Sequence, residues 1–284
     1  MIATRLVGGL GNQMFQYAAG FRLARHHGVP LRVDTSWFSS QEAQGSDTPR
    51  TYALGCFALT ARPDRLAALR HSRWGRRAGL GRRVLRETSF AFDPSVLDAP
   101  DEVLLDGYWQ SERYFADVAG PLRRELTFAS PPTGRNAQLL AEIRSRPAVS
   151  VHVRRGDYVS SPATNDYHGT CSPAYYAAAL EHVTAAVGDA HYYVFSDDPP
   201  WCKENLDLGV PTTYLDHNPP ERGFEDLRLM AACRHHVLAN SSFSWWGAWL
   251  EDEPSHVVVA PGTWFRDASI DTGDLLPRRW VRLR

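Results

Sequence analysis

The chain is 284 residues long, 43% hydrophobic and 22% charged, with a formal net charge of −1. That is ordinary globular composition, enough for one large domain or two smaller ones. The near-neutral charge disfavours long nucleic acid and anionic membrane as bulk partners, since both demand a basic face.

The basic residues are almost all arginine, Lys203 being the only lysine. Any anion site must therefore use guanidinium forks, which suit phosphate oxygens. Cys56, Cys171, Cys202 and Cys233 form no CxxC pair, so neither a zinc site nor a disulfide framework is expected. The N-terminus, Met1-Ile2-Ala3-Thr4-Arg5-Leu6-Val7, enters a glycine-rich motif with no apolar h-region. No window approaches the roughly 20 apolar residues of a membrane span. The expectation is a soluble, cytoplasmic protein, compatible with peripheral association at the inner membrane face.

In chain order, Arg5–Gly8 reads as a strand and Gly8-Gly9-Leu10-Gly11 as a tight turn. Met14, Tyr17, Ala18 and Phe21 then recur at helical spacing, and Leu31–Asp34 reads as a second strand. That βαβ start predicts an α/β domain. Residues 41–49 are polar and loop-like. Residues 62–86 interleave arginine with leucine and are read as a solvated helix pair, its arginine stems covering apolar surface. Val103–Asp106 is a strand, and Ala129–Gly134 is small, polar and proline-rich, the best linker. Beyond it the alternation is regular. Strands are predicted at Val149–Val153, Tyr192–Ser196, His236–Ala239 and Val257–Ala260. Helices are predicted at Pro173–Val187, Pro199–Leu206, Phe224–Arg234 and Phe243–Leu250. Such order implies a parallel doubly wound sheet, with ligands at the C-terminal strand ends.

Four segments fall at those ends. In Gly8-Gly9-Leu10-Gly11-Asn12-Gln13-Met14-Phe15-Gln16, glycines let the backbone approach a ligand, and the amides of Asn12 and Gln13 suit sugar hydroxyls. The spacing is not GxGxxG, and a plain βα turn is the competing reading. In His152-Val153-Arg154-Arg155-Gly156-Asp157-Tyr158, two adjacent arginines at a strand end need an anion, which a diphosphate supplies through bidentate bonds. A surface pair with Asp157 is the alternative. In Tyr192-Tyr193-Val194-Phe195-Ser196-Asp197-Asp198, a carboxylate can accept from guanine N1–H and N2–H2 together, while either aspartate can instead cap the following helix. In Ala239-Asn240-Ser241-Ser242-Phe243-Ser244-Trp245-Trp246-Gly247, serine hydroxyls and helix N-terminal N–H groups suit phosphate, and the tryptophans suit core packing. No DxD, GxSxG or P-loop motif is present. A nucleotide-sugar enzyme without a metal must then neutralise its leaving diphosphate with arginine and backbone donors.

Taken together, the four segments resemble the α-1,2-fucosyltransferases of glycosyltransferase family 11. The resemblance runs from residue 8 to about 250. Its most specific block is His152-Val153-Arg154-Arg155-Gly156-Asp157-Tyr158, shared in looser form with α-1,6- and protein O-fucosyltransferases. It implies an α/β, GT-B-type fold, two Rossmann-like domains facing across a cleft. Residues 1–134 would be the acceptor-side domain and 135–284 the GDP-fucose-binding domain, with the C-terminal tail free to pack back on the first.

The implied reaction is inverting transfer of L-fucose from GDP-β-L-fucose to O2 of a terminal galactose, with no cofactor and no metal. The implied partners are GDP-fucose and a galactose-terminated oligosaccharide or glycolipid, with no nucleic acid. By the same resemblance, Arg154 binds the β-phosphate, His152 and Asp197 lie against guanine, and Ser242 contacts the diphosphate. Asn12, in the loop with Gly11, lies near the reacting sugars. These roles agree with those read from the residues, to which Arg155 and the Ser241–Ser242 amides add support for the diphosphate. Asp157 is a candidate general base that can alternatively orient Arg154; Asp106, Glu112 and Asp34 are the other carboxylates considered. The competing functions are a protein O-fucosyltransferase or other GDP-sugar transferase, a non-catalytic carbohydrate-binding module, and an arginine-rich nucleic-acid binder built on residues 62–86.

Overall fold

Residues 1–40, 50–71, 77, 81–156, 159, 162–267 and 269–283 are described in the computed structural model of the chain. They divide into two units. The first comprises Met1–Ala129 and Ile270–Pro277, the second Ser130–Ser269 and Arg278–Arg284. The chain passes from one to the other inside the Ala129–Gly134 stretch. The tail contributes one segment to each; the sequence reading set the boundary at 134/135 with the tail free to pack back on the first domain.

Unit 1 is a parallel sheet of β1 (Ile2–Arg5), β2 (Leu31–Asp34), β3 (Arg62–Pro63), β4 (Arg83–Arg86) and β5 (Val103–Asp106), in the order β3-β2-β1-β5-β4. Its helices are α1 (Leu10–His27), α2 (Ala67–His71) and α3 (Ala119–Glu125). Helix α1 buries Met14, Tyr17, Ala18 and Phe21, the stripe its spacing predicts. It ends where Gly28 adopts φ 62° and donates its N–H to Arg25 O at 3.1 Å, a left-handed stop open to glycine. Arg25, His26 and His27 in the last turn face the negative end of the helix dipole.

Strand β4 corrects the reading of residues 62–86. Described parts of that stretch form two edge strands and one short helix, not a helix pair; residues 72–76 and 78–80 lie outside the described residues. The arginines of β4 sit on a solvated edge. Charge there discourages edge pairing and hides the strand alternation.

Unit 2 carries β6 (Ala148–Val153), β7 (His191–Ser196), β8 (Thr212–Leu215), β9 (His235–Val237), β10 (Val258–Pro261) and β11 (Val281–Leu283), in the order β11-β10-β9-β6-β7-β8. Every pairing is parallel. Its helices are α4 (Gly134–Arg144), α5 (Pro162–His168), α6 (Pro173–Val187), α7 (Pro199–Asn205), α8 (Gly223–Met230) and α9 (Ser242–Leu250). Alternate residues of β7 serve opposite faces. Tyr192 and Val194 join Tyr176, Ala179 and Val183 of α6, while Tyr193 and Phe195 join Leu139 and Ile143 of α4 and Leu229 and Met230 of α8. A sheet covered on both faces reads as a continuous apolar run, and each such side chain contributes about 1.5–3 kcal/mol through burial. Trp245 and Trp246 of α9 are fully buried, as the core-packing reading expected, and Trp249 is buried with them.

Candidate functional site

In unit 2 the strand order reverses between β6 and β9: β7 and β8 continue beyond β6, β10 and β11 beyond β9. Loops leaving the C-terminal ends at such a reversal turn away from each other and open a crevice. Here those loops are His152–Gly156 and Asn240–Ser242, with Asp197 and Asp198 from the adjacent β7.

Arg154 Nη1 lies 2.8 Å from Asp197 Oδ2, and Asp197 Oδ1 accepts the Arg155 N–H at 2.8 Å. Asp197 thus binds both members of the arginine pair. Gly156 makes this possible, since a Cβ there would fall 2.4 Å from Asp197 Oδ2. Asp198 has a different task. It caps α7 by accepting the Trp201 N–H at 3.3 Å, its own N–H donates to Ser196 Oγ at 2.9 Å, and its Oδ2 takes Arg155 Nε at 3.3 Å. The Arg155 guanidinium stacks on Trp201, 3.7 Å from the ring centroid. Of the two aspartates, Asp198 takes the capping role the sequence allowed, while both pair with an arginine, Asp197 with Arg154 and Asp198 with Arg155. Arg155 is held by carboxylate and indole together.

His152 is 5% exposed. Burial, and secondarily the Arg154 charge, pull its pKa down to about 3, so it is a neutral imidazole at ordinary pH. Tyr176 donates its hydroxyl to His152 O at 3.1 Å, while Nδ1 is buried without a partner among the described residues. A buried ring nitrogen lacking a bond, at a ligand-binding edge, fits a site that a polar ligand completes. Ser241 is the N-cap of α9, its Oγ accepting the Phe243 N–H at 3.3 Å, and Ser242 is the first helical residue. The Ser241 N–H itself donates to Ala239 O at 2.8 Å, which corrects the expectation that this amide serves the diphosphate; the positive end of the α9 dipole still falls at these strand ends. Asn240, by contrast, is structural: its amide donates to His168 O, Gly169 O and Trp264 O. Asp157 and Tyr158 lie outside the described residues.

A carboxyl missed in the sequence is present on the same edge. Asp226, in the first turn of α8, accepts from Asn218 Nδ2 at 2.7 Å. Asn218 in turn exchanges bonds with Asn136, which His217 also contacts at 2.8 Å. Burial lifts the Asp226 pKa to about 6. From sequence it looks like any solvated helical aspartate, and only the loop after β8 reveals its surroundings. At the opposite, N-terminal edge, a cavity of ≈ 460 Å³ is lined by Arg144, Arg146, Arg234, Glu251 and Glu253. Arg234 pairs there with Glu253 at 3.5 Å, and the cavity lies away from the C-terminal strand ends where such sheets bind ligands.

In unit 1 the reversal falls between β1 and β5, bringing together the glycine loop and residues 107–111. Gln13 is fully buried. Its Nε2 donates to Gly8 O and Thr51 O, both at 2.9 Å, and its Oε1 accepts the Ala53 N–H at 2.8 Å. This corrects the sugar-binding reading of Gln13: the backbone saturates its amide. Gln16 likewise accepts the Val7 N–H at 2.9 Å. Asn12 is half-buried and accepts from Gln110 Nε2 at 2.9 Å, while Gly11 is buried in the first turn of α1. Among the other candidate carboxylates, Asp106 lies 3.5 Å from Arg5 and 3.4 Å from Arg86. Asp34 is 1% exposed and accepts the Ser36 N–H at 2.9 Å. Glu112 opens a 3₁₀ turn through Tyr114.

Among the described residues, no cluster of three or more His, Cys, Asp or Glu could hold a metal, and no helix is long and apolar enough to cross a membrane.

Two parallel α/β units, each with ligand-type loops at its switch point, define the GT-B class of glycosyltransferase. The fold resembles that of POFUT1 solved in complex with GDP, with a TM-score of 0.52, 12% identity, and coverage of 91% of this chain and 97% of that one. The family model for glycosyl transferase family 11 matches residues 93–284, and the chain belongs to that family. It is 30% identical over 297 residues to an alpha-1,2-colitosyltransferase of Escherichia coli, covering 100% of this chain and 99% of the relative. It is 27% identical over 252 residues to galactoside alpha-(1,2)-fucosyltransferase 1 of Mus musculus, covering 86% of this chain and 61% of the relative.

Proposed function

We propose that the protein transfers L-fucose from GDP-β-L-fucose to O2 of a terminal galactose, in one inverting displacement that needs neither metal nor cofactor. The observation that carries this reading is the Arg154–Asp197 pair at the C-terminal ends of β6 and β7, next to the switch point of unit 2, where His152 of β6 meets Phe243 in the first turn of α9 with ring centroids 5.8 Å apart. An arginine oriented by a carboxylate holds its planar cation in a fixed geometry, suited to a phosphate. As the glycosidic bond to GDP breaks, the sugar gains oxocarbenium character and negative charge collects on the departing diphosphate. Arg154, with the positive end of the α9 dipole at Ser242, stabilises that charge where it forms. Arg155, stacked on Trp201, supports the site through its field and its backbone N–H. His152 contributes a neutral ring nitrogen toward the base, and Asp197 shares its carboxylate between arginine and guanine. Gly11 and Asn12 serve the acceptor side, with Asp157 as the general base.

The acceptor is a galactose-terminated oligosaccharide or glycolipid, met in the cytoplasm or at the inner membrane face. Both relatives named above make α-1,2 linkages, which supports the regiochemistry. The colitosyltransferase relative supports a second reading, transfer of colitose through the same linkage. GDP release from GDP-fucose, with and without lactose and in EDTA, tests the proposal. Lactose-dependent release with an α-1,2 product by NMR supports it. Turnover only with a colitosyl donor favours the second reading, and no release together with no GDP binding overturns both.

A further inference from the structure

The turn after β5 is held from the end of β4. The Glu87 N–H donates to Asp106 O at 3.1 Å. Its carboxylate then accepts two consecutive backbone donors, the Tyr108 N–H on Oε2 at 2.6 Å and the Trp109 N–H on Oε1 at 2.9 Å. Backbone bonds to a carboxylate are charge-assisted and short. Gly107 is required beneath it, because a Cβ there would lie 2.4 Å from Glu87 Cβ.

The turn that Glu87 holds is strained. Trp109 has φ 57°, a left-handed conformation, and is 1% exposed. A bulky residue persists there only where its surroundings over-determine it, and such residues concentrate at functional sites. Trp109 also packs edge-on to Tyr114, ring centroids 5.5 Å apart. The next residue, Gln110, is 7% exposed and donates from Nε2 to Asn12 Oδ1. A donor on Oδ1 fixes which end of the Asn12 carboxamide faces which way. The chain of contacts is thus Glu87, the Trp109 turn, Gln110, Asn12, and it ends at the switch point of unit 1.

We propose that Glu87 is a positioning residue for acceptor binding: it holds the Trp109 turn so that Gln110 aligns the Asn12 carboxamide with the acceptor sugar. The proposal rests on the fucosyl-transfer reading above. Glu87 touches no substrate and acts through Gln110.

The experiment uses the full chain and three variants, Glu87→Gln, Gln110→Ala and the double variant. Glu87→Gln replaces one acceptor oxygen by an amide NH₂ that faces a backbone N–H. The expected result is a 10–100-fold lower kcat/KM for lactose, carried mainly by KM, since displacement by about 1 Å can cost 10²-fold. GDP affinity and lactose-independent hydrolysis of GDP-fucose stay at the wild-type level. Gln110→Ala gives the same loss, and the double variant loses no more than either single one. Multiplying losses, or a fall in GDP affinity, would overturn the proposal. If wild type accepts no galactoside, the functional reading fails instead. The Asn12 side-chain amide resonance then decides: it shifts in both single variants if the chain of contacts holds, and an unmoved resonance in Glu87→Gln overturns it.

Discussion

Arg154 and Asp197 leave the ends of neighbouring strands β6 and β7 and meet at 2.8 Å, with about a fifth to a quarter of each side chain exposed. The second Asp197 oxygen takes the Arg155 N–H, so one carboxylate sets the conformation of the whole arginine loop. In a partly desolvated pair, removing one partner leaves the other charge unmatched, which harms more than the pair itself contributes. Asp197→Ala is therefore expected to weaken GDP binding by about 10–100-fold, equivalent to the ~1–3 kcal/mol of an unsatisfied group. Asp197→Asn should weaken it less, because an amide oxygen still accepts the Arg155 N–H. Titration calorimetry with GDP measures both. An Asp197→Ala variant with wild-type affinity would show that Arg154 needs no carboxylate to hold its aim.

Arg154→Ala is expected to lower turnover about 10²–10³-fold, the usual consequence of losing one preorganised charge stabiliser. Arg154→Lys should recover little, since an ammonium cannot bond carboxylate and phosphate with a fixed planar fork. Rates of GDP release under saturating donor distinguish the two. Full recovery by lysine would reduce the role of Arg154 to a point charge.

Gly156→Ala tests the same loop through sterics. The added methyl would lie 2.4 Å from Asp197 Oδ2 and 3.0 Å from its Cγ, too close for any real contact, so Asp197 must turn away from Arg154. The expected phenotype matches Asp197→Ala in GDP affinity, with thermal stability near wild type because the loop is partly exposed. Normal affinity in Gly156→Ala would mean that the loop relaxes without releasing the pair.

Gln13 and Asn12 are neighbours with opposite expected phenotypes. Gln13→Leu leaves Gly8 O, Thr51 O and the Ala53 N–H without their partner, at about 1–3 kcal/mol for each group left buried and unsatisfied. A marked fall in Tm is expected, with acceptor KM little changed in the protein that remains folded. Asn12→Ala should do the reverse, leaving Tm near wild type and raising acceptor KM. Thermal melts paired with lactose kinetics read both, and a stable Gln13→Leu variant would remove the structural assignment.

Asp226 sets a pH dependence whose sign follows from its raised pKa. The native state holds the proton up to about pH 6, whereas an unfolded aspartate releases it near pH 3.9. The native state then binds more protons than the unfolded one across that window, so the contribution to stability is present below about pH 4 and lost as pH rises to 6. The difference is at most about 3 kcal/mol. Asp226→Asn keeps a neutral partner for Asn218 and removes the titration. Urea unfolding of both proteins at pH 4, 5, 6 and 7 should show Asp226→Asn gaining relative to wild type as pH rises. Parallel curves would mean that Asp226 ionises without penalty.

The sequence alone determined much of unit 2 and which of its residues fall at the C-terminal strand ends. Apolar runs in β6 and β7 are continuous because both faces of that sheet are covered, so the strands stand out from their neighbours. The helix α6 is bounded by Ser172, Pro173 and Gly188, each with its own cap chemistry. The loops after β6, β7 and β9 follow these elements directly, so local sequence order was enough to place His152, Arg154, Arg155, Asp197 and Ser242 at or beside the strand ends. Edge elements were hidden. Strand β4 is masked by its arginines, and β11 is a three-residue strand whose only signal is its pairing with β10.

What tertiary structure decided was the division of labour among residues of the same type. Asp197 and Asp198 are adjacent, yet one pairs with Arg154 and the other caps α7. Asn12 and Gln13 are adjacent, yet one meets Gln110 across the switch point and the other is closed off by Gly8, Thr51 and Ala53. Asp226 and Glu87 carry no motif at all; their surroundings are made by residues 8 and 21 positions away in the chain. A side chain's partners depend on which strand ends the sheet order places side by side, and that order is fixed by packing across the whole unit rather than by local spacing.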